Sequence, residues 1–135
     1  MGFGFSSDVR LKCGWQFDLV FRTGRRETGE LVRLFYVQAQ EGAPLVGAAV
    51  GKKIANAVER ARGRRMLRES FRRLLPWMKD GVWVVGSLRE GALRASAQDV
   101  YFDLARSMER RGLMKDGWPG SDWEVDKAQG HVTSI

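Results

Sequence analysis

Apolar positions along this chain recur with two different periods, and the switches between them mark out its elements. In Arg10–Thr23 (RLKCGWQFDLVFRT), Trp15, Leu19 and Arg22 fall near one side of a helix, with Phe17, Val20 and Phe21 beside them. Gly24 is the expected stop. Glu30–Gln40 (ELVRLFYVQAQ) instead alternates as a strand does. Leu31, Arg33, Phe35 and Val37 would face one way, and Val32, Leu34 and Tyr36 the other. Glu41–Pro44 reads as a turn, and Leu45–Val50 (LVGAAV) as a second strand whose small side chains would admit a close backbone neighbour.

The clearest element follows. Asn56 is a helix cap and Glu59, three residues on, completes a capping-box pattern; the helix is then expected to run to about Leu75 and stop at Pro76. At 100° per residue, Gly63, Leu67, Phe71 and Leu74 share one side. Arg62, Arg64, Arg65, Arg68, Arg72 and Arg73 cover a broad arc from its edge to the opposite side, and Arg60, Arg64 and Arg68 form an i, i+4 ridge along the shoulder. Beyond the Asp80–Gly81 turn, Gly81–Ser87 (GVWVVGS) has the composition of a buried strand. Strand, long helix and strand together predict a βαβ unit with Leu45–Val50 parallel to Val82–Val85. Ser96–Arg111 is a further helix, striped by Val100, Leu104 and Met108 and ended by Gly112. The expectation is one domain over residues 1–111 and a polar tail over 112–135, mobile at its end, that Trp118 and Trp123 can dock onto the domain.

Charge sharpens this picture. The chain carries 23 Lys and Arg against 16 Asp and Glu, a net of +7. From Lys52 to Arg73 there are nine basic residues and two acidic ones, so this one segment holds the entire excess. Seven of the nine are arginines, whose planar fork matches phosphate geometry. A dense basic helix in an otherwise neutral domain points to a polyanion, most often nucleic acid; the plainer alternative is a solvated helix face.

Catalytic patterns are scarce. Cys13 is the one cysteine and His131, in the tail, the one histidine, so no disulfide framework, zinc spacing or His-dependent base is expected. GKKIANAV matches neither Gly-rich phosphate loop. Asp99 and Asp103 share a helix face at i, i+4 and invite a metal reading, although such pairs usually face solvent. No stretch approaches the length of a membrane span and the N-terminus has no signal-peptide pattern, so a reduced, cytoplasmic, metal-poor protein is expected.

The segment GKKIANAVERARGRRMLRESFR, Gly51 to Arg72, resembles the signature of the bacterial ribonuclease P protein subunit. The lysine pair is Lys52–Lys53, Asn56-Ala57-Val58 starts the helix, Arg60-Ala61-Arg62 stands at an Arg-Asn-Arg triplet, and Arg64-Arg65 and Arg68-Glu69 follow. Upstream, Leu11, Lys12, Phe17, Val20 and Phe21 match the family's opening, and Phe35 takes the place of a frequent Tyr. Three positions depart from the pattern: Ala55 for Gly, Ala61 for Asn, and Arg64 for Lys.

The resemblance implies an α+β domain with a mixed central sheet and a left-handed βαβ crossover, where geometry alone would favour the right hand. It implies a ribonucleoprotein endonuclease that removes the 5′ leader of precursor tRNA. The RNA subunit catalyses with magnesium, bound mainly by that RNA and the substrate, and no protein partner is implied. Lys52, Lys53, Asn56, Arg60, Arg62, Arg64, Arg65, Arg68 and Arg72 would bind the ribonuclease P RNA, and Phe17, Phe21 and Phe35 would line a cleft for the leader. For these aromatics the competing reading is core packing, strongest for Phe21. Rival functions are a general structured-RNA binder, of ribosomal or chaperone type, a nuclease acting alone, and a major-groove DNA reader.

Overall fold

The computed structural model describes residues 10–38 and 41–124. In chain order the elements are α1 (Gly14–Thr23), β1 (Arg25–Thr28), β2 (Val32–Val37), β3 (Leu45–Ala49), α2 (Ala57–Leu74), β4 (Trp83–Leu88) and α3 (Ala97–Arg110). Short 3-10 turns over Leu75–Trp77 and Glu90–Arg94 follow α2 and β4.

Four strands form one mixed sheet in the order β1-β2-β4-β3. β1 and β4 both run antiparallel to β2, while β3 and β4 are parallel, with Leu45 opposite Trp83 and Gly47 opposite Val85. The β3-α2-β4 unit expected from the pattern is therefore present. Alternation in β2 is equally clear: Val32, Leu34 and Tyr36 are buried, while Arg33, Phe35 and Val37 are half-buried on the other face. The first face packs on α2 and α3 through Leu67, Phe71, Leu74, Val100, Leu104 and Met108, all part of the main core. The second face carries α1 and a smaller cluster built on Leu11, Val20 and Val85. The layers are thus α1, the sheet, and the α2–α3 pair.

Several local expectations change in the structure. Helix α1 begins at Gly14 instead of Arg10. Arg10 is bridged to Val46, the Leu11 N–H donates to the Val46 carbonyl at 2.9 Å, and the Gln16 side-chain oxygen accepts from the Lys12 and Cys13 N–H groups. Its end does fall at Gly24. A Cβ there would lie 2.3 Å from the Val20 carbonyl oxygen and 2.7 Å from that of Tyr36, so close backbone approach is what demands glycine. Strand β1, RRET, has no apolar period to reveal it; it exists because β2 offers an antiparallel ladder. The small residues of β3 admit an aromatic ring, not a backbone: a Cβ on Gly47 would meet Phe17 at 2.7 Å.

Two charged residues also sit elsewhere than expected. Arg73, placed on the exposed arc of the helix, is 7% exposed. Its guanidinium lies 3.4 Å from the Trp123 ring centroid and donates to Glu69. Asp103 is buried. Its carboxylate accepts from the backbone N–H groups of Glu30, Leu31 and Val32, while Asp99 closes a capping box with Ser96, so both halves of that pair serve backbone amides. Beyond α3, Leu113 and Met114 are buried, and the Asp122 N–H donates to the Tyr101 hydroxyl at 2.9 Å, tying the chain across α2 and α3. His131 lies outside the described residues.

Candidate nucleic-acid interface

Helix α2 forms where the sequence places it. Asn56 Oδ1 accepts the Glu59 N–H at 2.8 Å and Glu59 Oε1 accepts the Asn56 N–H at 2.9 Å, so the cap satisfies end groups that the helix cannot. Lys52 and Lys53 stand exposed on the turn just before it.

The arginines of the helix divide by what they touch. Among the described residues Lys52, Lys53, Arg64, Arg65 and Arg68 have no ion pair. Arg68 is crowded by its own kind: partial burial, and then the Arg10 and Arg64 guanidiniums, press its pKa below the ordinary value, though it stays charged at neutral pH. Like charges gathered in this way are relieved by a bound anion. The others are engaged within the fold. Arg60 Nη1 donates to the Ala55 carbonyl at 3.0 Å. The Arg62 fork donates to the carbonyls of Leu93 and Ala95, both at 3.0 Å. Arg72 pairs with Glu69 at 2.6 Å.

Against this ridge opens a cleft between the start of α1, β3 and α2. It has a volume of about 210 Å³ and is lined by Arg10, Lys12, Phe17, Gly47 and Arg68, among others. Phe17 is half-buried over Gly47. Phe35 is half-buried, and Phe21 meets it edge to face with ring centroids 4.8 Å apart. Phe21 was the aromatic most expected in the core, yet it is 40% exposed; Val20, one residue earlier, takes the buried position of that turn. One sheet face thus presents aromatic rings beside a cluster of cations. Nothing in the sequence marks Arg10 and Lys12 as site residues. They are remote from Arg68 in the chain, and only the pairing of residues 10 and 46 brings them to it.

The family profile described as Ribonuclease P matches residues 5–112. The chain belongs to the ribonuclease P protein family. It is similar to the ribonuclease P protein component of Symbiobacterium thermophilum, at 33% identity over 107 residues, covering 78% of this chain and 93% of that one. With the component of Xanthomonas campestris it shares 32% over 111 residues, 82% of this chain and 74% of the other. Solved structures agree on the fold. The RNase P protein of Staphylococcus aureus superposes with a TM-score of 0.70 at 18% identity, over 79% of this chain and 98% of that one. The Thermotoga maritima protein gives 0.67 at 24% identity, over 75% and 96%. As a ribonuclease P protein subunit, the chain is part of a ribonucleoprotein that processes tRNA 5′ ends, and its partner is an RNA subunit. The strap beyond Gly112, with Trp118 and Trp123, lies outside the matched segment.

Proposed function

We propose that this subunit binds the ribonuclease P RNA through the Lys52–Lys53 turn, the Asn56-capped helix start and the outer ridge of α2, and holds the 5′ leader of precursor tRNA in the aromatic cleft. The observation that carries the reading is the meeting of the Arg10–Arg64–Arg68 cluster with the Phe17 side of the cleft. Arg64, Arg65 and Arg68 would neutralise phosphates, joined by Arg60 through the donors that its one bond to the Ala55 carbonyl leaves over, with release of counterions and steep salt dependence. Phe17, Phe21 and Phe35 would stack on unpaired bases, which costs no sequence selectivity and contributes about 1–3 kcal/mol per base. Arg62 and Arg72 belong to the same basic run but already have partners inside the fold. Magnesium enters with the RNA and the substrate, and this chain's part is binding and orientation. A cytoplasmic site of action follows from this role in tRNA processing. No helix among the described residues is long and apolar enough to cross a membrane.

The test is a reconstitution at low magnesium with a bacterial ribonuclease P RNA and a precursor tRNA, with each subunit omitted in turn. Cleavage at the 5′ boundary should need both subunits. Phe17→Ala and Phe35→Ala should remove the preference for precursor over mature tRNA while leaving affinity for the RNA subunit nearly intact. If both variants keep that preference, the leader does not lie in this cleft.

A further inference from the structure

Helix α2 carries arginines on two opposite shoulders, and only one of them is open. Arg60, Arg64 and Arg68 advance at i, i+4 along one shoulder, and Arg68 lines the cleft beside β3. Arg62 and Arg73 are eleven residues apart, close to three full turns, so they emerge from nearly the same line of the helix. Both are tied to segments around α3. Arg73 is packed against Trp123 of the C-terminal strap, and Arg62 reaches the chain between β4 and α3.

The Arg62 contact is specific. Its two terminal nitrogens each take one backbone carbonyl, Leu93 and Ala95, at 3.0 Å. Leu93 lies in the 3-10 turn over Glu90–Arg94, Ala95 caps that turn, and Ser96 caps α3. Carbonyls at the end of such a turn lack regular partners, and a planar two-pronged donor suits them in a way an ammonium does not. Behind the contact, α2 lies close to the end of β4: a Cβ on Gly63 would meet Leu88 at 2.7 Å. Fixing the Leu93–Ala95 segment to α2 therefore sets how the helix sits on the sheet, and so the direction in which the opposite shoulder points.

We infer that Arg62 is a positioning residue: it braces α2 to the β4–α3 connection and thereby aims the phosphate-facing ridge, without itself contacting a phosphate. The inference refines the RNA-binding reading above and rests on it. It also divides the basic run by function, which charge counting cannot do, since Arg62 and Arg65 are alike in sequence.

The experiment compares full-length Arg62→Ala, Arg62→Lys and, as a phosphate-facing control, Arg65→Ala. Two quantities are read: amide exchange at Ala92 and Ala95 in the free protein, and the slope of log affinity for a bacterial ribonuclease P RNA against log salt. Both Arg62 variants should exchange about five- to thirtyfold faster at those amides, with a salt slope equal to that of the unaltered protein. Arg62→Lys should resemble Arg62→Ala, because lysine keeps the charge and loses the fork. Arg65→Ala should reduce the slope by roughly 0.7–0.9 and leave exchange unchanged. A comparable loss of slope in Arg62→Ala, restored by Arg62→Lys, would overturn the inference, as would unchanged exchange in both Arg62 variants. If Arg65→Ala also keeps the full slope, the RNA-binding reading of the ridge fails instead, and the exchange measurement alone decides the brace.

Discussion

Replacing Asp103 should be the most damaging single polar change in the domain. Its carboxylate is buried on α3 and accepts from Leu31 and Val32 N–H at 2.9 Å each and from Glu30 N–H at 3.1 Å, with Arg106 at 3.3 Å. These three amides belong to the β1–β2 turn and the first residue of β2, so one side chain fixes the β1–β2 hairpin to the helix layer. In Asp103→Ala the Val32 amide, buried, and the Leu31 amide, half-buried, lose their acceptor. Each stranded donor costs about 1–3 kcal/mol; the Glu30 amide is exposed enough for water to serve it. The expected loss is therefore about 4 kcal/mol, a large share of the 5–15 kcal/mol typical of a domain. It should appear as a fall in Tm of about 10–20 °C. Asp103→Asn keeps one acceptor oxygen but turns an amide N–H toward the donors, for a loss of about 2 kcal/mol. Urea denaturation of the three proteins gives the magnitudes, and amide exchange at Leu31 and Val32 gives the location. A cost below about 1 kcal/mol for Asp103→Ala, or full protection of those two amides, would refute the reasoning.

Three further outcomes follow from the same contacts. Burial acts to raise the Glu69 pKa, but the hydrogen bonds and charges of Arg72 and Arg73 outweigh it and hold the carboxyl below its ordinary 4.5. Its stabilisation is thus full above that value and lost as pH falls below it, so Glu69→Gln should flatten the acid limb of a stability-versus-pH curve measured by denaturant. Gly47→Val should push the Phe17 ring off β3 and narrow the cleft, weakening precursor-tRNA binding while the free protein stays folded by circular dichroism; unchanged precursor affinity would contradict this placement of the leader. Trp123→Ala removes the ring over Arg73 and should cost roughly 2 kcal/mol in chemical denaturation, through lost cation–π contact and apolar burial, with no change in the salt slope of RNA binding.

Sequence and tertiary structure supplied different parts of this account. The long helix from Asn56, its apolar side, the alternation of β2 and the parallel βαβ unit were all legible, because each depends on local periods and end-capping chemistry. The basic run and its family resemblance were legible for the same reason: they are contiguous in the chain. Strand β1 was not, since four polar residues acquire strand form only from the ladder beside them. Nor were the fates of individual charges. Arg62, Arg73 and Asp103 read as outward-facing residues, yet their partners are Leu93, Trp123 and the amides of residues 30–32, all brought to them by packing. The cleft wall was hidden in the same way, with Arg10 meeting Arg68 only through β3. What the sequence by itself determined is which segments become helix or strand and where positive charge accumulates. Only the tertiary structure decided which of those charges remain open to a phosphate, because a guanidinium follows whichever acceptor the fold brings within about 3 Å.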